Sequence, residues 1–94
     1  MRILKYELEI TDYQTIRAES DFVKPLSVAE QNGKLVMWAQ VGEPIAGIRS
    51  VIGVEIVGTG NYHFDGITNH ENFIGTVAMS NGRVWHVFAL VEVL

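Results

Sequence analysis

The sequence predicts an all-β fold, six to seven short antiparallel strands in one small sandwich or flattened barrel. Two Asn-Gly pairs, Asn32-Gly33 and Asn81-Gly82, each divide apolar, β-branched and aromatic runs. A type I′ turn needs φ > 0 at both central residues, which makes Asn-Gly the strongest short-range hairpin signal. Residues 2–10 alternate, with Leu4, Tyr6, Leu8 and Ile10 on one side and Lys5, Glu7 and Glu9 on the other. That is the period of a half-buried strand. No stretch carries a convincing helical period.

Each element follows in order. Thr11-Asp12 is a turn signal, and Tyr13 to Ala18 is expected to fold back on the first strand as an opening hairpin. Glu7 and Glu9 share a face, which reads as a solvated outer surface rather than a catalytic carboxylate pair. Glu19-Ser20-Asp21 is polar and turn-like, and Lys24-Pro25 opens a strand where proline is tolerated. A two-residue turn at Asn32-Gly33 sets Glu30 opposite Leu35, Ala29 opposite Val36, Val28 opposite Met37, Ser27 opposite Trp38 and Leu26 opposite Ala39. Gly42 to Gly47 is a loop, and Arg49 to Val57 a strand in which Gly53 marks a bulge or a close backbone approach. Residues 58–72 are the least regular, with a short turn expected around Thr68 to Glu71. So long a connection points to a functional or mobile segment.

The last two strands flank Asn81-Gly82. A two-residue turn there sets Met79 opposite Val84, Val77 opposite His86, Gly75 opposite Phe88 and Phe73 opposite Leu90. One face then carries Phe73, Val77, Met79, Val84, His86, Phe88 and Leu90; the other carries Ile74, Thr76, Ala78, Trp85, Val87, Ala89 and Val91. Neither face is polar. The hairpin is therefore expected inside the sandwich or covered by another subunit.

Composition bounds the function. Ninety-four residues make a single domain, 1–94, with 48% apolar residues and no cysteine, so neither disulfides nor thiol chemistry are available. No apolar run reaches the length of a membrane span, and Met1 to Glu7 lacks the apolar segment of a signal peptide, so the expected location is the cytoplasm of the host cell, away from the membrane. The net charge is −4, and the seven basic residues are scattered along the chain. Binding to nucleic acid, which is driven by clustered cations, is not expected.

Four groups of residues could carry chemistry. Gly58-Thr59-Gly60 could form a backbone nest for an anion, or simply a tight turn; no dinucleotide or P-loop signature accompanies it. His63, Asp65, His70 and Glu71 are of metal-ligating and acid–base types, but their spacing fits no standard metal signature. His86 lies between Val84 and Phe88 on an apolar face, which is the place of a satisfied core histidine or of one lining a pocket or interface. Trp38 and Trp85 belong to the core or, if their faces are open, to an interaction surface.

Lys5-Tyr6, Leu8 to Asp12, Gln14-Thr15-Ile16, Ser27-Val28, Gln31-Asn32-Gly33, Trp38-Ala39, Gly58-Thr59-Gly60, Phe73 to Thr76 and Val84 to Phe88 together carry a family likeness spanning nearly the whole chain. On these residues the chain resembles a family of small uncharacterised proteins that recur in bacteriophage and bacterial genomes. The resemblance implies a phage or prophage origin and brings no activity or functional residue with it. In that family arginines often precede the Gly-Thr-Gly turn and a histidine often follows it; here Glu55 and Asn61 occupy that region, which weighs against carrying over a basic ligand contact.

The expectation is a non-enzymatic binding protein, working as a homo-oligomer without cofactor or metal. Its partner would be a host protein or a small anionic ligand such as a signalling nucleotide. Gly58, Thr59, Gly60, Asn61, Tyr62, His63 and Phe64 are the candidate ligand contacts, because backbone donors and aromatic rings suit such a ligand. Trp38, Trp85 and His86 are the candidate interface. The alternatives are a virion or assembly component, using exposed edges and tryptophan faces, and a small hydrolase using His63, Asp65 or His70.

Overall fold

The computed structural model describes residues 1–61 and 68–94. Its seven strands are β1 (Arg2–Leu8), β2 (Tyr13–Ala18), β3 (Val23–Gln31), β4 (Lys34–Val41), β5 (Ser50–Gly58), β6 (Phe73–Ala78) and β7 (Val84–Val93), with one 3-10 turn at His70–Asn72. They form two antiparallel sheets, ordered β1-β4-β3 and β2-β5-β7-β6. The all-β expectation holds.

The core lies between the sheets. Leu35 and Met37 of β4 meet Ile52 and Val54 of β5 and Val87 of β7 there, all essentially inaccessible. Each buried side chain of this size contributes ~1.5–3 kcal/mol of hydrophobic stabilisation. The strictly alternating residues of β5 send Ile52, Val54 and Ile56 inward, leaving Val51, Gly53, Glu55 and Val57 on the outer side.

The opening hairpin does not form. β1 pairs with β4 and β2 with β5, so residues 9–12 cross from one sheet to the other. The Gln14 side chain replaces the missing ladder: its amide nitrogen donates to the Glu9 carbonyl at 2.7 Å, and its oxygen accepts from the Glu9 N–H at 3.1 Å. A short polar linker can turn within a sheet or cross between two, and local alternation does not distinguish these outcomes.

The two Asn-Gly pairs behave differently. Gln31 stands opposite Lys34, with Asn32 at φ 53 and Gly33 at φ 79. The expected register runs back to Ser27 opposite Trp38, after which an irregularity at Leu26 puts Pro25, not Leu26, opposite Ala39. At Asn81-Gly82 the two-residue register is overturned. Ala78 stands opposite Val84, Val77 opposite Trp85 and Thr76 opposite His86. The Met79 N–H donates to the Arg83 carbonyl and the Gly82 N–H to the Met79 carbonyl, with only Gly82 at positive φ. This is a three-residue loop closed by a glycine in the left-handed region.

The shift has a physical cause. Val77, Met79, Trp85, Val87, Ala89 and Val91 all belong to the core or pack against it, and all carry odd numbers. Only a register setting odd residues opposite odd ones keeps them on one face, because a one-residue slip turns a whole strand over. Glu30 of β3 secures the loop from the other sheet, accepting from the Ser80 N–H at 3.0 and 3.1 Å and from its hydroxyl at 3.0 Å. Phe73 then stands opposite Phe88 after an irregularity beside Ile74.

Gly53 answers to a close approach rather than a bulge. The pairing of β5 is continuous on both sides, and a Cβ at Gly53 would stand 2.8 Å from the Tyr13 hydroxyl.

Candidate functional site

The end of the four-stranded sheet where β5 leaves and β7 begins carries the candidate site. The Asn61 N–H donates to the Gly58 carbonyl at 3.0 Å, with Gly60 at φ 82. That is a tight turn whose third position requires a left-handed residue. Thr59 N–H donates to the Val84 carbonyl at 3.4 Å. Two of the N–H groups that an anion nest would offer are therefore spent within the protein.

Beside this turn lies an open depression of about 310 Å³, lined among others by Thr59, Asn61, Arg83 and Trp85. Gly58 forms part of its wall for a steric reason. A Cβ there would stand 2.5 Å from the Asn61 amide nitrogen and 3.2 Å from the Trp85 ring. Trp85 is half-buried against the core, which leaves it an apolar wall rather than a projecting anchor. Among the described residues Arg83 has no ion-pair partner, since the two salt bridges join Met1 to Glu43 and Lys34 to Glu7. Its N–H is held by the Asn81 side chain at 2.9 Å.

His86 lies behind Thr59 on the outer face of β7, half-buried. Thr59 Oγ1 is 2.7 Å from its Nε2 and Thr76 Oγ1 is 2.9 Å from its Nδ1. A neutral imidazole has one donor and one acceptor nitrogen, and a hydroxyl can serve either. Both nitrogens are thus satisfied whichever tautomer is present. His86 is the satisfied histidine of the expectation, placed on an outer face instead of in the core. It fixes the Thr59 hydroxyl at the rim of the depression.

Of the other candidates, Trp38 stands on the outer face of the three-stranded sheet between Lys5 and Ser27, half-buried and remote in topology from Trp85. His70 and Glu71 sit in the 3-10 turn, which the Asn69 side chain caps by accepting from the N–H groups of Glu71 and Asn72. Among the described residues no group of three His, Cys, Asp or Glu side chains could hold a metal, and no helix is long and apolar enough to cross a membrane. Tyr62, His63, Phe64 and Asp65 lie outside the described residues.

The structure therefore brings Gly58, Thr59, Gly60, Asn61, Trp85 and His86 to one corner and adds Arg83 and Thr76, which the sequence did not single out. Their proximity arises from the pairing of β5 with β7 and of β7 with β6. The useful signal was an arginine directly after a turn, on the strand that would meet the Gly-Thr-Gly end of β5. An arginine fork, an amide, a hydroxyl and an apolar wall suit a small anion with a flat or apolar part.

No curated protein and no solved structure matches the chain. Over residues 1–93 it belongs to the family described as Domain of unknown function (DUF7352).

Proposed function

We propose that the chain is a non-enzymatic binding protein for a small anionic ligand, held in the depression between the 58–61 turn and the start of β7, and that it works as a homo-oligomer. The observation that carries this is Arg83: in a chain of net charge −4, an arginine without an ion partner among the described residues lines a depression beside Asn61, Thr59 and Trp85. Guanidinium groups bind carboxylate and phosphate oxygens through paired charge-assisted hydrogen bonds. Trp85 supplies an apolar wall for a base or ring, which is how a nucleotide would fit. A phage or prophage accessory role, as the resemblance implies, is part of this proposal.

The two tryptophans make the test specific, since the chain has only Trp38 and Trp85. Titration of the ¹⁵N-labelled protein with adenosine monophosphate and with inorganic pyrophosphate should move the Trp85 indole N–H signal and leave Trp38 still. Arg83→Gln should weaken binding about tenfold or more, the worth of one hydrogen bond to a charged group. If neither probe moves Trp85, or Arg83→Gln binds as the wild type does, this reading fails. The virion or assembly alternative draws instead on exposed apolar surface; it gains if the chain co-purifies with particles.

A further inference from the structure

The two Asn-Gly pairs differ in chemistry as well as in register. An asparagine followed by glycine can cyclise. The glycine backbone nitrogen, as it sheds its proton, attacks the side-chain carbonyl carbon of the asparagine. Ammonia leaves, and a cyclic imide remains. Water then opens the ring at either carbonyl, giving aspartate or isoaspartate. Glycine favours the step because it has no side chain to shield its nitrogen. This chemistry makes asparagine a thermolabile residue. It requires two freedoms: a glycine N–H outside any hydrogen bond, and an asparagine side chain able to swing over it.

Asn32-Gly33 has both. It closes a two-residue turn between Gln31 and Lys34, with Asn32 at φ 53 and Gly33 at φ 79. In such a turn the ladder bonds belong to the flanking residues, and the N–H of the second turn residue is left to solvent. Asn32 and Gly33 are both exposed, and a Cβ at Gly33 would meet nothing within 4 Å. Among the described residues neither the Gly33 N–H nor the Asn32 side chain makes a hydrogen bond.

Asn81-Gly82 has neither. The Gly82 N–H donates to the Met79 carbonyl at 3.0 Å. Asn81 Oδ1 accepts from the Arg83 N–H at 2.9 Å, which ties the side chain to the nitrogen after the one that would attack. Glu30 anchors the loop one residue earlier, through the N–H and hydroxyl of Ser80. Hydrogen bonds on both reacting groups must break before Gly82 can attack.

From this contrast we propose that Asn32 is a modification site, converted spontaneously to aspartate and isoaspartate, and that the fold protects Asn81. Water is the co-reactant and ammonia the leaving group. Conversion adds one negative charge to a chain of net charge −4, beside the Lys34–Glu7 pair at 3.0 Å. Isoaspartate also adds a carbon to the main chain, inside the turn that sets the register of β3 against β4. Those strands belong to the three-stranded sheet. The site therefore stands independently of the ligand depression on the other sheet.

Incubation of the folded protein at physiological temperature and mildly alkaline pH, then tryptic digestion and mass spectrometry, reads both sites at once. Cleavage after Arg17, Lys34, Arg49 and Arg83 places Asn32 and Asn81 in separate peptides. The Asn32 peptide should gain the mass of an amide-to-acid conversion about tenfold faster than the Asn81 peptide, the population cost of freeing one hydrogen-bonded group. In protein unfolded with guanidinium chloride the difference should vanish, because both sites are then plain Asn-Gly pairs. Asn32→Asp should abolish the gain in its peptide, which assigns the change to Asn32 rather than Gln31. The proposal is overturned if folded Asn81 converts as fast as Asn32, or if Asn32 keeps its amide. A difference that survives unfolding overturns it too, since the fold is then not its cause.

Discussion

Ile52→Ala should lower stability by about 2–5 kcal/mol, the largest effect of any single truncation considered for this chain. Ile52 is fully buried in β5, one of the two inner strands of the wider sheet, opposite Ile16 on one side and Val91 on the other. Deleting its side chain removes apolar contacts and leaves a cavity that two hydrogen-bonded neighbours prevent from collapsing. A domain of this size has ~5–14 kcal/mol of total stability. At ~4–8 °C per kcal/mol the melting temperature should fall by at least about 8 °C. Leu90→Ala is the control: it removes a similar volume from a side chain 47% exposed on the outer face. It should cost less than about 1 kcal/mol. Equal losses at both positions would contradict the assignment of inner and outer faces.

Ser50→Ala should cost about 1–3 kcal/mol despite removing one oxygen. Ser50 and Ser20 are both fully buried. The Ser50 hydroxyl donates to the Ser20 carbonyl at 2.7 Å, and Ser20 Oγ accepts from the Phe22 N–H at 3.1 Å. The Phe22 carbonyl in turn accepts from the Gly42 N–H at 2.9 Å, and a Cβ at Gly42 would stand 2.9 Å from Ser20 Oγ. This knot ties the loops after β2 and β4 to the start of β5. Without the Ser50 hydroxyl the Ser20 carbonyl is a buried acceptor lacking that donor, and the penalty for an unmade buried hydrogen bond exceeds the gain from making one. Chemical denaturation measures it; an unchanged midpoint would show that the carbonyl finds another donor.

Much of the fold was legible because it is written in local pattern. Alternation in residues 2–10, the Asn-Gly pairs and the β-branched runs gave the strands their places, and the turn near Thr68 to Glu71 appears as the 3-10 turn at His70–Asn72. What escaped is non-local. The same dipeptide closes two different loops, because at Asn81-Gly82 the odd-numbered core set and the Glu30 carboxylate outweigh the turn preference. The destination of β2 depended on Gln14 taking over the Glu9 backbone groups across the sheets. Ser20 looked like a surface turn residue and is buried. At the site, Gly58 to Asn61 and His86 were named from residue type alone, whereas Arg83 and Thr76 join them only through strand pairing.

Native mass spectrometry of the chain as isolated from its host cells, repeated after denaturation, tests the binding claim most directly. Protein carrying the extra mass of a small anion is expected, with that mass released on denaturation and missing from Arg83→Gln. Bare protein mass in every state, or an adduct that Arg83→Gln retains in full, would contradict it.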